Sequence, residues 1–308
     1  MARLLLQSAE LAEFPVKSPT VLDNAMCIYC ATPLSKENRT KEHVIGRRFV
    51  PKGTLSGGWN LIAFACLECN RKKSRLEDEL AAISMQPDLH GKFAVDHEVL
   101  KAEAARKATN SFSSRTKRPI SESNETLTYS LEPSKKLKIV AEFEAGAQIS
   151  DRLTYTLCSY QTRAFFFLMT YDESTRSGKY WRGVFMGVNS ARRADWGNVR
   201  QTSFATKVHA WEPRLLTRET IADGFAKAAI RKHPDEACWS WALEWNHNFR
   251  SIGFFGDESV CESLAQSLER LNAQLLVDMP DFRIARRVES RLNPDDDVLF
   301  EYEMNVRE

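Results

Sequence analysis

Two cysteine pairs, Cys27-Ile28-Tyr29-Cys30 and Cys66-Leu67-Glu68-Cys69, each place two thiols three positions apart. A loop of that length turns both sulfurs toward one ion, and two such loops complete a tetrahedral four-cysteine zinc site. Four thiolates leave no open coordination position, so this zinc is expected to be structural. Between the pairs lies Glu42-His43. An imidazole with a pKa near neutral can take a proton from water. A carboxylate beside it can offer oxygen to Mg2+ or Mn2+. Neighbouring side chains on a strand point to opposite faces, so both can serve one site only through a local bulge or twist.

The run from the insertion into the second pair reads TKEHVIGRRFVPKGTLSGGWNLIAFACLECNRKKS. The order of its motifs is a first CxxC, then Glu-His-Val-Ile, a Gly-rich turn, Trp-Asn-Leu, and a second CxxC followed by Asn-Arg-Lys-Lys. That order resembles an HNH endonuclease of the ββα-metal type, in the version braced by a four-cysteine zinc. The resemblance covers residues 24–80. It implies that His43 is the general base and that Glu42 and Asn70 hold a divalent cation. It further implies that Asn60, matching the middle Asn, fixes the loop and orients the base. The chain departs from the H-N-H letters, with Glu-His at the first motif and Asn at the last. Oxygen donors of this kind favour Mg2+ or Mn2+ over a softer metal.

Charge supports a polyanionic partner. Lys36 to Arg75 holds ten Lys or Arg against three Glu, a local +7 in a chain of net +2. Arg47, Arg48, Lys72 and Lys73 are the leading phosphate contacts expected from this stretch, with Lys52 behind them. DNA is the expected partner, with RNA also open. A homodimer fits a core that cuts one strand per site. Cys158, Cys238 and Cys261 are scattered and read as small buried thiols.

The chain has 308 residues, 43% hydrophobic and 27% charged. That is ordinary globular chemistry, and the length favours two domains. No stretch approaches the ~18 apolar residues of a membrane span. The opening MARLLLQSAE is too short for a secretory signal, so a cytoplasmic location is expected.

The elements that must position these residues divide into four stretches: an N-terminal extension (1–23), a zinc-bound module (24–105), a Ser- and Thr-rich connection (106–136), and a larger domain (137–308). The extension carries a brief helix ended by Pro15 and Pro19. Within the module, CNRKKSRLEDELAAISM predicts a helix with an apolar stripe at Leu76, Leu80 and Ile83. Along that helix, Glu77 and Asp78 read as a solvated face or as salt-bridge partners of Arg71, Lys73 or Arg75. DHEVLKAEAARKA predicts a second helix.

In the larger domain KLKIVAEFE, RAFFFLMTY, YWRGVFMGV, TKVHAWEP, CWSWALEWN and FRSIGFFG read as strands. RETIADGFAKAAIRKH (218–233) and ESVCESLAQSLERLNAQL (258–275) read as helices. The predicted fold class is therefore α+β: a small ββα-metal module followed by a larger mixed domain. The Trp- and Phe-rich run near 240–255 reads as core, and Asn246 and His247 as structural residues. Arg192-Arg193 and Arg286-Arg287 could extend a basic track, and Asp295-Asp297 reads as a solvated turn. The larger domain is expected to supply targeting, regulation or dimerisation.

Three functions remain in play from the sequence. The first is a metal-dependent endonuclease of the kind that free-standing HNH enzymes provide in restriction, phage defence or mobile elements. The second is a nucleic-acid-binding zinc module that does not cleave. The third is an interaction protein that zinc only stabilises.

Overall fold

The computed structural model describes residues 18–301, apart from 57, 89–90, 135–136, 146, 148–149, 218–219, 272 and 280–281. In the strands of 125–145 and 273–287 it describes the backbone and the side chain of Val140. The expected helix before Pro15 lies outside the described residues, as do the side chains of Arg286 and Arg287.

The N-terminal module is a β-β-β-α unit: β1 (Thr20–Val21), β2 (Arg39–His43), β3 (Leu61–Cys66) and α1 (Leu67–Ser84). Its sheet runs β1-β3-β2, with β1 parallel and β2 antiparallel to the central β3. β3 reads LIAFAC and is buried along most of its length, as a strand covered on both faces should be. Cys66 closes β3 and caps α1, so the chain passes from strand to helix inside the second cysteine pair. α2 (Glu98–Asn110) follows and packs Leu100 and Ala104 into the core; its first turn is capped by His97, which accepts from the Leu100 N–H.

The hairpin β4 (Glu125–Ser134) and β5 (Leu137–Ala145) leads to the long helix α3 (Asp151–Met169). The larger domain is built on an antiparallel sheet in the order β6-β10-β9-β8-β7. Its strands are β6 (Val184–Arg192), β7 (Glu212–Leu216), β8 (Ala226–Lys232), β9 (Cys238–Trp245) and β10 (Phe249–Gly256), with α4 (Val199–His209) between β6 and β7. α5 (Glu258–Gln266) and the hairpin β11 (Ala273–Met279) and β12 (Phe282–Arg287) complete it.

Period-two patterning sorts the central strands. Trp241, Leu243 and Trp245 of β9 face the core shared with α3, together with Phe249 and Phe255 of β10. Cys238, Ala242, Ile252 and Phe254 face a second core with Phe204 and Val208 of α4 and Cys261 of α5. The first core is continuous with the N-terminal module. Trp59 stacks on Phe165 at 6.2 Å, and Phe49 meets Trp245 edge-on at 5.2 Å. Asn246, at a positive φ of 53° in the β9–β10 turn, donates to the Phe49 carbonyl and the Ser84 hydroxyl. Asn248 donates to the carbonyls of Ser84 and Gln86. The turn thus has the structural role expected of Asn246, and the His247 ring packs on Phe225.

Four local expectations are corrected. RAFFFLMTY is helical, as the end of α3. Its Phe165, Phe166 and Phe167 are all buried, and a helix wrapped by core tolerates aromatics that propensity would assign to a strand. Residues 226–232 form β8, not a helix. Asp223 and Gly224 sit at positive φ and break the chain just before it, and it pairs antiparallel with β9 along its whole length. TKVHAWEP divides between the end of α4 and the start of β7. The helix expected over 258–275 stops at Gln266, and Leu268 turns into the second core. The stretch 106–136 carries the end of α2 and the strand β4.

Because Trp59 and Phe165 share one core, Trp59→Ala should cost about 3–5 kcal/mol. In chemical denaturation, a probe in the five-stranded sheet and one in the zinc module should shift to lower midpoints together. Separate transitions, with only the module affected, would contradict the shared core.

Candidate metal centre

The four sulfurs of Cys27, Cys30, Cys66 and Cys69 lie within 4.8 Å of one another, and those of Cys30 and Cys66 are 3.8 Å apart. Zinc held by four thiolates at about 2.3 Å sets its sulfurs about 3.8 Å apart, so this donor set fits the ion. The first pair sits in a tight knuckle. Cys27 N–H donates to the Thr32 carbonyl at 2.8 Å, Ala31 N–H donates to the Cys27 carbonyl at 3.1 Å, and Ala31 takes a φ of 62°. The second pair gains its spacing from the strand-to-helix junction, with Cys69 in the first turn of α1.

The Cys27 thiol is held down, to about 4, chiefly by the Cys69 thiol and by backbone N–H groups that outweigh burial. Cys69, sharing that hydrogen bond, is pushed up. The larger domain secures the same knuckle: Tyr180 donates to the Cys27 carbonyl at 2.7 Å, and Arg163 donates to the Tyr29 carbonyl at 3.2 Å.

Glu42 and His43 leave β2 on opposite faces. Glu42 points inward and is 5% exposed. Its Oε1 accepts from the Tyr29 hydroxyl at 3.1 Å and from the Lys73 ammonium at 2.7 Å, and its Oε2 accepts from the Asn70 amide at 2.6 Å. Asn70 and Lys73 are one turn apart on α1, so one helix face closes over the strand. Glu77, a further turn on, takes Lys73 at 2.7 Å and the Gly46 N–H at 3.1 Å. A Cβ at Gly46 would lie 2.4 Å from a Glu77 oxygen, so a larger residue there would displace the Glu77 carboxylate.

Burial works against the Lys73 charge, but Glu77 and Glu42 outweigh it and hold the ammonium above its ordinary value. Burial raises the Glu77 carboxyl, with Lys73 opposing. Burial also raises the Tyr29 hydroxyl, and the two carboxylates add to it.

His43 lies on the other, partly open face. Burial and then the Arg47 guanidinium lower its pKa, which keeps the imidazole neutral and able to accept a proton. Asn60 is buried and clamps the chain just beyond it. Its amide donates to the Ile45 carbonyl at 2.8 Å and its oxygen accepts the Ile45 N–H at 3.2 Å. The structure therefore brings Glu42 and Asn70 together, sets Asn60 behind the His43 turn, and leaves His43 facing away from Glu42.

Among the described residues, the cysteine cluster is the one group of three or more His, Cys, Asp or Glu placed to hold a metal. Arg47, Arg48 and Lys72 are exposed, and Lys72 pairs with Glu68 at 2.6 Å. Lys73 is a correction. It is 1% exposed and held between two carboxylates, so it contacts no phosphate. Its pairing with Glu77 follows the i,i+4 spacing legible in the sequence. The Tyr29 hydroxyl was not anticipated; its only signal is its place between two ligands. Cys158, Cys238 and Cys261 are all buried, as expected.

Purified protein should carry one zinc per chain by elemental analysis. Cys66→Ser should lose both the metal and the N-terminal fold by circular dichroism, whereas His43→Ala should keep both. Lys73→Ala leaves Glu42 and Glu77 buried without their cation and should cost about 3–5 kcal/mol in denaturant unfolding. Lys73→Ala combined with Glu77→Gln should recover part of that loss. If the double variant is no more stable than the single one, the two residues are not coupled.

The chain matches no family model, no curated protein and no solved structure.

Proposed function

We propose that the zinc-stapled module binds nucleic acid and hydrolyses DNA phosphodiester bonds in the manner of an HNH endonuclease. The observation that supports this reading is the meeting of Glu42 and Asn70 at 2.6 Å, from strand and helix, next in sequence to a partly open His43 whose side chain leaves the opposite face of β2. The Asn60 clamp on Ile45 supports it, because it fixes the turn that leaves His43. His43 takes a proton from water as the water oxygen attacks phosphorus, the bond from phosphorus to the leaving sugar oxygen breaks, and solvent protonates that oxygen. Glu42 and Asn70 are the residues that would hold Mg2+ or Mn2+, with Asn70 giving up its donor bond to Glu42, and the ion would supply positive charge to the phosphate and the leaving oxygen. Arg47 and Arg48, exposed on the turn after His43, supply sequence-independent contacts to the backbone phosphates. Restriction, phage defence and mobile elements are the settings this activity fits.

One observation favours a second reading, a zinc module that binds nucleic acid without cutting it. Both Glu42 oxygens are already engaged, by Tyr29, Lys73 and Asn70, and Lys73 supplies a cation in place. On that reading the polar network only holds β2 to α1.

Supercoiled plasmid incubated with Mg2+ or Mn2+ separates the two. The nuclease reading expects nicked or linear product, reduced at least ~100-fold in His43→Ala. Retarded but uncut plasmid with either metal leaves the binding module, and absence of both retardation and cutting removes both readings.

A further inference from the structure

A cleft of about 550 Å3 opens beside the candidate site, between the turn after His43, α1 and the end of α2. Arg48, Asp78, Arg106, Lys107, Asn110 and Phe112 line it. Three of those six are cations and one is an acid.

Lys107 is the informative member. It is 3% exposed on the inward face of α2, and its ammonium makes no hydrogen bond or ion pair among the described residues. Asp78 is the acid that most offsets its charge, while Arg106 and Arg48 add to the positive field. Lys107 lines the cleft, so an anion bound there can pair with its ammonium. Arg106 is held in place by Glu103 at 2.7 Å, and Arg48 is exposed and carries no ion pair among the described residues.

Phe112 adds a different chemistry. Its ring is 61% exposed, yet its backbone is pinned by a bridge to Pro119, and the neighbouring Ser111 N–H donates to the Lys107 carbonyl at 2.8 Å. An exposed aromatic ring fixed beside a row of cations is the arrangement that stacks one base while the cations hold the phosphates on either side. Bases paired inside a duplex cannot reach such a ring.

We propose that this cleft binds a single-stranded stretch of nucleic acid, with Lys107, Arg106 and Arg48 on its phosphates and Phe112 stacked on one unpaired base. The proposal rests on the reading of the module as nucleic-acid-binding but not on cleavage. Asp78 sits in the same cleft and keeps it from being a general anion sink.

The test is fluorescence anisotropy of the full chain with a labelled single-stranded oligonucleotide, with the same sequence as a duplex, and with inorganic phosphate as competitor. Wild type should bind the single strand, and millimolar phosphate should displace it only weakly. Phe112→Ala should weaken single-strand binding by about 5- to 100-fold and leave duplex binding unchanged. Arg48→Ala should lower the salt slope of single-strand binding by about 0.7. Lys107→Met, which keeps the buried stem, should weaken the single strand with its fold intact by circular dichroism. Unchanged single-strand affinity in both Phe112→Ala and Lys107→Met overturns the proposal, as does an equal loss for duplex. Plasmid nicking by wild type alongside unchanged affinity in these variants would sink the cleft alone and leave the catalytic reading standing. Single-strand binding that depends on Phe112, with no nicking, would do the reverse.

Discussion

A lysine ammonium buried between two carboxylates organises the N-terminal module. Lys73 touches Glu42 on β2, Glu77 on α1 and the main chain of His43, and Glu77 in turn holds the Gly46 N–H. One charge therefore fixes the angle of the helix to the strand and the path of the turn that follows. Burying it is unfavourable unless every partner is present and well placed. Gly46 leaves room for the Glu77 carboxylate, and Asn70 supplies a hydrogen bond to the second oxygen of Glu42. The same constraint explains why Tyr29, inside the zinc knuckle, turns its hydroxyl to Glu42. Metal cluster and ion-pair network thus share residues 27–30 and α1.

The metal cluster does not stand apart from the rest of the fold. Its knuckle is covered by α3 and Tyr180 of the larger domain, and Trp59 and Phe49 continue into the core of that domain. The larger domain therefore packs directly against the cysteine knuckle and the module's core. Its sheet separates two cores by strict alternation: the face carrying Trp241 and Trp245 belongs with the N-terminal module, and the face carrying Ile252 and Phe254 is closed by α4 and α5. On that second face Arg250 bridges Glu244 and Asp297 over the Trp196 ring, a second buried cation holding distant segments together.

The distribution of positive charge gains meaning only in three dimensions. The basic stretch from Lys36 to Arg75 separates into exposed residues such as Arg47 and Arg48, a surface pair in Lys72–Glu68, and the interior cation Lys73. Arg106 and Lys107, far along the chain and outside that stretch, join Arg48 at one cleft.

The sequence by itself determined the zinc donors, because four cysteines in two CxxC steps leave little freedom in what they bind. It also determined the helix that opens in the second cysteine pair, the tryptophan-rich central strands and the opposed directions of Glu42 and His43. Those signals are local: a spacing, an alternation, a neighbour. Only the tertiary structure decided that the aromatic run at 163–169 is a helix and the alanine-rich run at 226–232 a strand, because burial on all sides overrides intrinsic preference. It alone decided which lysine is interior and which faces solvent. Lys72 and Lys73 are adjacent and chemically identical, and a turn of one residue on a helix carries one into water and the other between two carboxylates.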